Sequence, residues 1–259
     1  MTSPALMHRQ QKLARLSTRA HLDDMARRSR PGMAAPMPED GPVATEYQGL
    51  LAQLHDDLRA LSNIQSIEKK IEKKPALLAK YRPWVAGALQ VADGDAAPQD
   101  EIMVTALIWA LDIADWGFAL DIADHCLAHG LALPERYNRT LACLVVEEIA
   151  EAAIKTTGSV PHDVLERIRP IATDHDMPDQ VRATFFRALG ESWAQRAESF
   201  DPASDSAPAG GKPAMVDAAL TELRRAVGLN AKVGVKKTIE QLEREAKRLA
   251  EAAGASSST

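Results

Sequence analysis

The sequence predicts an all-α protein, a helical bundle or array of helical hairpins with a basic helix first and a long coiled-coil-like helix after it. Three observations predict this. Hydrophobic residues make up 46% of the chain and aromatics only 4%, a mixture that suits helices packed closely on helices better than strands, which favour β-branched and aromatic residues. Apolar positions recur every three or four residues through most of the chain. No alternating apolar and polar run is long enough to build a sheet.

The first element, about Pro4 to Arg28, reads as a basic amphipathic helix. Leu6, Leu13, Leu16 and Ala20 fall in one stripe, and Arg9, Lys12, Arg15 and Arg19 group beside it. Arg30–Pro42 then carries four prolines and two glycines. No helix tolerates that, so residues 31–43 form a linker and residues 1–30 a tethered arm that orders on binding. A helical body is expected over 44–199. Its first part, 44–74, is a single long helix in which Leu51, Leu54, Leu58 and Leu61 continue into Ile64, Ile67 and Ile71. That seam is a candidate for coiled-coil pairing within the chain, as an ordinary bundle helix, or between subunits, hence for a homo-oligomer.

Pro75 starts or kinks the next helix, about Leu77 to Val91, which ends in the turn-rich Ala92–Pro98. Glu101–Ile113 is apolar on nearly every face and belongs at the centre of the body. Asp115–His129 is amphipathic and stops at Gly130, a C-terminal cap, so the two make a helical hairpin. Helices follow at about Tyr137–Thr157, His162–Asp174 and Pro178–Ser199. A second linker spans 200–213, and a C-terminal helical pair, about Ala214–Val227 and Lys232–Ala253, precedes a disordered tail at 254–259. The stretches opening at Ala119-Leu120 and Ala219-Leu220 look like the second half of a tetratricopeptide unit.

Charge is unevenly placed. Residues 1–37 hold seven Lys/Arg and two Asp, against −5 for the whole chain, so a basic arm precedes an acidic body. Cys126 and Cys143 are the only cysteines and have no zinc-ligand spacing, as in a reducing compartment. No apolar run reaches the length of a membrane span, so no membrane partner is expected. Asp23 and Asp24 interrupt the acid-free, Arg-rich opening that an organelle presequence would keep.

The chemistry motifs are sparse. Gly210-Gly211-Lys212 is followed by Pro213 and cannot cradle a phosphate as a P-loop does. GxSxG and HExxH are missing too. The richest acidic cluster is Asp112, Asp115, Asp121 and Asp124, with His125 and His129. A divalent-metal nuclease needs such carboxylates converging on one ion, and Asp121, Asp124 and His125 share a helical face, so Mg²⁺ is the cofactor only if the chain is a nuclease. A solvated helix face, with Asp112 and Asp115 as cap and turn residues, is the preferred reading of these acids, and also of Glu147, Glu148 and Glu151; on that reading there is no metal and no cofactor. On the basic helix, Arg9, Lys12, Arg15 and Arg19, with Arg27, Arg28 and Arg30 beyond, suit a phosphate backbone; a solvated leader helix, or one that docks on an acidic partner, is the other reading. His8, Gln10, Gln11 and Ser17 are placed to add base contacts in a major groove. A helical scaffold that binds only protein is the third reading.

Several patches together resemble one family. They are the opening Met1–His8, the run Tyr81-Arg82-Pro83-Trp84-Val85-Ala86-Gly87, and the block from Trp109-Ala110-Leu111-Asp112 through Asp115, Ala119-Leu120, Ile122-Ala123 and Gly130-Leu131 to Pro134. Asp176–Ala183 and Gly234-Val235-Lys236-Lys237 with Ile239 and Leu242–Glu245 complete the set. In these the chain resembles the small terminase subunit of tailed temperate phages with cohesive DNA ends, a subunit often labelled an endonuclease. The resemblance implies a protein of the host bacterial cytoplasm that binds double-stranded phage DNA at the packaging start. It implies transfer of that DNA to a large terminase ATPase subunit and a part in defining the cohesive-end cut. It assigns no nuclease motif to particular residues. Family members often end in a Lys/Arg-rich tail where this chain ends in GASSST, so the C-terminus is given no grip on DNA.

Overall fold

The computed structural model describes residues 3–19, 34, 36–90, 97–201 and 210–256, and among them every regular element is a helix. In chain order these are α1 (Pro4–Arg19), α2 (Gly41–Ser62), α3 (Ile67–Ala88), α4 (Glu101–Asp112), α5 (Trp116–Ala128), α6 (Leu141–Lys155), α7 (His162–Asp174), α8 (Asp179–Glu198), α9 (Gly211–Leu229) and α10 (Lys236–Ser256). The chain divides into two compact units, Met1–Leu141 and Ala142–Thr259, a division inside the stretch read as one body.

In the first unit α4 is central: nine of its twelve residues are buried, as its all-round apolar sequence requires. The N–H groups at its start are satisfied from two sides. The Asp100 carboxylate accepts from Ile102 and Met103 N–H at 2.9 and 3.0 Å, and the Tyr47 hydroxyl of α2 accepts from Glu101 N–H at 3.1 Å. The other Asp100 oxygen takes the Trp84 indole N–H of α3 at 2.7 Å. Burial pushes this carboxyl up to about 6, opposed by those three donors. Tyr81, also on α3, donates to Asp57 of α2 at 2.7 Å, and Lys80 reaches both Asp57 oxygens at 2.9 Å. These polar ties fix α2, α3 and α4 in one register around a core of Trp84, Tyr81, Leu54 and Leu107.

The long coiled-coil-like helix over 44–74 is corrected by the structure. Residues 63–66 break it, and Ser66 starts α3 as an N-cap, its hydroxyl accepting from Lys69 N–H at 3.3 Å. The seam is divided accordingly. Leu54 and Leu61 are buried inside the unit and Leu51 and Leu58 half-buried, whereas Ile67 is 73% exposed and Ile71 37%. Nor does Pro75 start a helix: it lies within α3, as does Pro83. Pro75 is exposed, so water reaches the Ile71 carbonyl that loses its usual donor.

The α4–α5 hairpin turns tightly. Asp115 N–H donates to Ala110 C=O at 2.9 Å and Ala114 N–H to Leu111 C=O at 3.1 Å, the paired bonds of a Schellman stop. Ala114 therefore sits at φ +58, in the left-handed region, where its Cβ crowds the following carbonyl. At the end of α5 the same two bonds run from Leu131 to Cys126 and from Gly130 to Leu127, with Gly130 at φ +66 as expected for a glycine stop. Ala114→Gly should therefore stabilise the first unit by about 0.5–1 kcal/mol. That figure sets relief of left-handed strain, about 1–2 kcal/mol, against the greater unfolded-state freedom of glycine. Chemical denaturation checks it, and a loss of stability would contradict the assigned turn.

In the second unit α8 and α9 pack closely where Gly190 faces Leu223; a Cβ at position 190 would lie 2.7 Å from Leu223 Cγ. Ala197, Met215, Val216 and Leu220 form a core covered by Trp193, Phe200 and the α10 residues Ile239, Leu242, Ala246 and Leu249. Residues 211–213, read as linker, open α9 behind Gly210 at φ +86; residues 202–209 and 257–259 lie outside the described residues. The two tetratricopeptide-like stretches fall in α5 and α9, where Ala119, Leu120, Ala219 and Leu220 are all buried.

Candidate nucleic-acid interface

The basic opening helix lies against α2 and α3, not held away on a tether as the sequence suggested. The reason is a small-residue fit that leucine periodicity does not encode. Gly87 on α3 has no Cβ, and one placed there would lie 2.5 Å from the Gln11 carbonyl oxygen and 2.8 Å from Ala14 Cβ. The face of α1 turned inward is thus Gln10 and Ala14, both buried. The leucine stripe is only partly covered: Leu13 is half-buried, Leu6 is 38% and Leu16 41% exposed, while Ala20 lies outside the described residues.

Outward, α1 presents His8, Arg9, Lys12 and Arg15. Arg9 Nη2 stands 3.4 Å from Glu46 Oε2, with the arginine side chain 64% exposed and Glu46 14%. Gln10 Nε2 donates to Glu46 Oε1 at 3.3 Å, so Gln10 faces the body and is not displayed for base contact in this arrangement. Gln11 is half-buried, and the side chains of Ser17 and Arg19, like Arg27, Arg28 and Arg30 altogether, are outside what is described.

The acidic cluster is divided between duties. Asp112 pairs with Lys74 and Asp115 with Arg82, both cations standing on α3, and Arg82 also lies 4.1 Å from the Phe118 ring centre. Sequence reading missed these two cations as the partners of the acids. Asp121 and Asp124 are exposed on α5. The His125 and His129 rings are 4.4 Å apart, and burial, then the neighbouring imidazole, holds His125 down to about 4. Among the described residues no group of three His, Cys, Asp or Glu side chains is arranged to hold a metal ion. Glu148 and Glu151 are exposed on α6 and Glu147 is half-buried.

A second polar network, unremarked in the sequence, joins α7, α8 and α9. His162 Nδ1 and Ser192 Oγ are 3.0 Å apart, and His162 Nε2 lies 3.6 Å from Glu166. These are the residue types of a Ser–His–acid relay, but both Glu166 oxygens accept from Arg169, at 2.8 and 3.1 Å, and Arg169 donates again to buried Glu222 at 2.7 Å. Ser192 lies inside α8, where backbone N–H groups serve the helix and none is left to stabilise an oxyanion. The network therefore ties three helices together. Only the spacing of His162, Glu166 and Arg169 at i, i+4 and i+7 could have signalled it.

Comparison with known proteins finds relatives of the chain among phage terminase subunits. A family model described as the phage small terminase subunit matches residues 51–180. The chain is 34% identical over 250 residues to the "Terminase, endonuclease subunit" of Escherichia phage P2, covering 95% of this chain and 87% of that protein. It is 25% identical over 200 residues to the "Probable terminase, endonuclease subunit" of Haemophilus phage HP1 (strain HP1c1), covering 76% and 69%. No solved structure gives a significant match.

Proposed function

Because the chain belongs to the phage small terminase subunit family, we propose that it is the DNA-recognition subunit of a packaging terminase, gripping double-stranded phage DNA through α1. Membership gives it a part in phage DNA packaging; the finer reading rests on charge. The single observation that carries it is the concentration of Arg9, Lys12 and Arg15 on the outward side of a helix mounted on an acidic protein. Cations so placed neutralise phosphates and release counterions, which supplies affinity with little sequence choice.

In this reading the helical body meets the large ATPase subunit in the host bacterial cytoplasm, and no described helix is long and apolar enough to cross a membrane. Self-association falls to the exposed Ile67–Ile71 ridge, because Leu54 and Leu61 are taken up within the unit. Both relatives are named endonuclease subunits. For this chain we assign cutting to the assembly with the large subunit, since Asp112 and Asp115 are engaged by Lys74 and Arg82. Mg²⁺ then belongs to that assembly.

A salt titration of duplex binding tests the proposal. Four to seven phosphate contacts give a slope of log K against log salt between about −3.6 and −6, so affinity falls at least about 150-fold between roughly 50 and 200 mM salt. Binding indifferent to salt, or no binding at the low end, overturns it.

A further inference from the structure

We infer that the seat of α1 on α2 and α3 is a releasable latch, in which Glu46 occupies Arg9 as a stand-in for DNA phosphate and is displaced when the duplex binds. The inference rests on the DNA-gripping reading of α1 and adds its regulation. Four observations carry it.

The contact between α1 and the body is close but imperfect. Ala14 and the Gln11 backbone meet Gly87 with Gln10 buried beside them, while the larger apolar side chains Leu6 and Leu16 remain 38% and 41% exposed. Gln10 Oε1 is buried and has no hydrogen-bond partner among the described residues. A buried acceptor left unpaired favours the state in which water reaches it.

The anion that holds α1 is a poor competitor. Glu46 meets Arg9 at 3.4 Å through one nitrogen, on a guanidinium that is mostly solvated. A phosphate offers two oxygens to the planar fork and binds it more tightly than a single loose contact. Glu46 is also the acceptor of Gln10, so one carboxylate restrains two successive residues of α1, and losing it loosens both.

Geometry supplies the motive for release. A helix is about 10–12 Å across with its side chains, and the major groove is about 12 Å wide and 8.5 Å deep. A helix backed along its length by α2 and α3 offers the groove only its outer side. Once undocked it enters the groove, with Gln10 and Gln11 freed to meet base edges.

The test compares the full-length protein with Glu46→Gln, using amide hydrogen exchange in α1 without DNA and binding of a mixed-sequence duplex of about 30 base pairs at about 50 mM salt. The latch predicts α1 exchange about fivefold faster and duplex binding about threefold tighter in the variant. Gly87→Ala is the second variant, since it presses on Gln11 and Ala14 from the other side while alanine suits α3 itself; it should move both readouts the same way. Unchanged α1 exchange in both variants overturns the latch. So does faster exchange with weaker binding, which would make the docked helix the gripping form and Glu46 its support. Faster exchange with no duplex binding by either protein upholds the release and overturns the DNA reading on its own.

Discussion

Replacing Arg9, Lys12, Arg15 and Arg19 together by glutamate is expected to lower duplex affinity by more than about 100-fold at roughly 50 mM salt and to flatten the salt slope by about 3.6. Each cation that meets a phosphate contributes about 0.9 to the slope, and reversing its sign adds repulsion to the lost attraction. The fold should survive, because the α1 side chains described here that change are exposed and the inner contacts through Gln10, Ala14 and Gly87 are untouched. One complication is local: glutamate at position 9 repels Glu46 and loosens the dock. The four glutamine replacements avoid that repulsion and should still remove about 3.6 from the slope. Retained affinity and slope in both variants, with helix content unchanged by circular dichroism, would place the DNA contacts on other residues. The exposed Lys69 and Lys73 of α3 would then be the next to reverse.

Trp84→Ala should be among the most damaging single changes to the first unit. Trp84 is fully buried, and truncating such a residue costs about 3–5 kcal/mol through lost transfer energy and the cavity left behind. It also removes the indole N–H from Asp100, leaving a buried oxygen without that donor, a further penalty of about 1–3 kcal/mol. Against a total stability of about 5–15 kcal/mol for a domain, this is enough to unfold the unit or bring it near its limit. Trp84→Phe separates the two contributions: most of the ring volume stays and the hydrogen bond goes, so the smaller penalty alone should appear. Urea denaturation followed by helix signal measures both, and a loss below about 1 kcal/mol for Trp84→Ala would contradict the packing described. The Tyr-Arg-Pro-Trp-Val-Ala-Gly run thereby acquires a physical reading. Tyr81 ties α3 to α2, Arg82 and Trp84 tie it to the α4–α5 hairpin, and Gly87 seats α1.

Most helices were legible because burial imposes a period of 3.6 on a one-sided helix, and that period survives in a single sequence. His162–Asp174 was read with the bounds the structure gives it, since Gly158 and the Met177-Pro178 step punctuate its flanks. The break at 63–66 was not legible. Ile64 and Ile67 keep the apolar spacing running across it, and the cap that starts α3 is one serine hydroxyl on one amide. The Ala114 stop was equally silent, because only glycine or asparagine advertises a left-handed residue. At the candidate site the cations were visible as a cluster. Their partners were not, because Glu46, Lys74 and Arg82 meet Arg9, Asp112 and Asp115 across 33 or more residues of chain.

What the sequence by itself determined is the all-helical class, the buried centre at 101–113 and the contrast between a basic beginning and an acidic remainder. These depend on which residues lie three or four apart, or on composition alone. The tertiary structure decided which face of α1 turns inward, which acids are neutralised and where the apolar seam divides. Those outcomes depend on contacts between distant segments, above all the missing Cβ of Gly87, which lets one backbone approach another and carries no periodic trace in the chain.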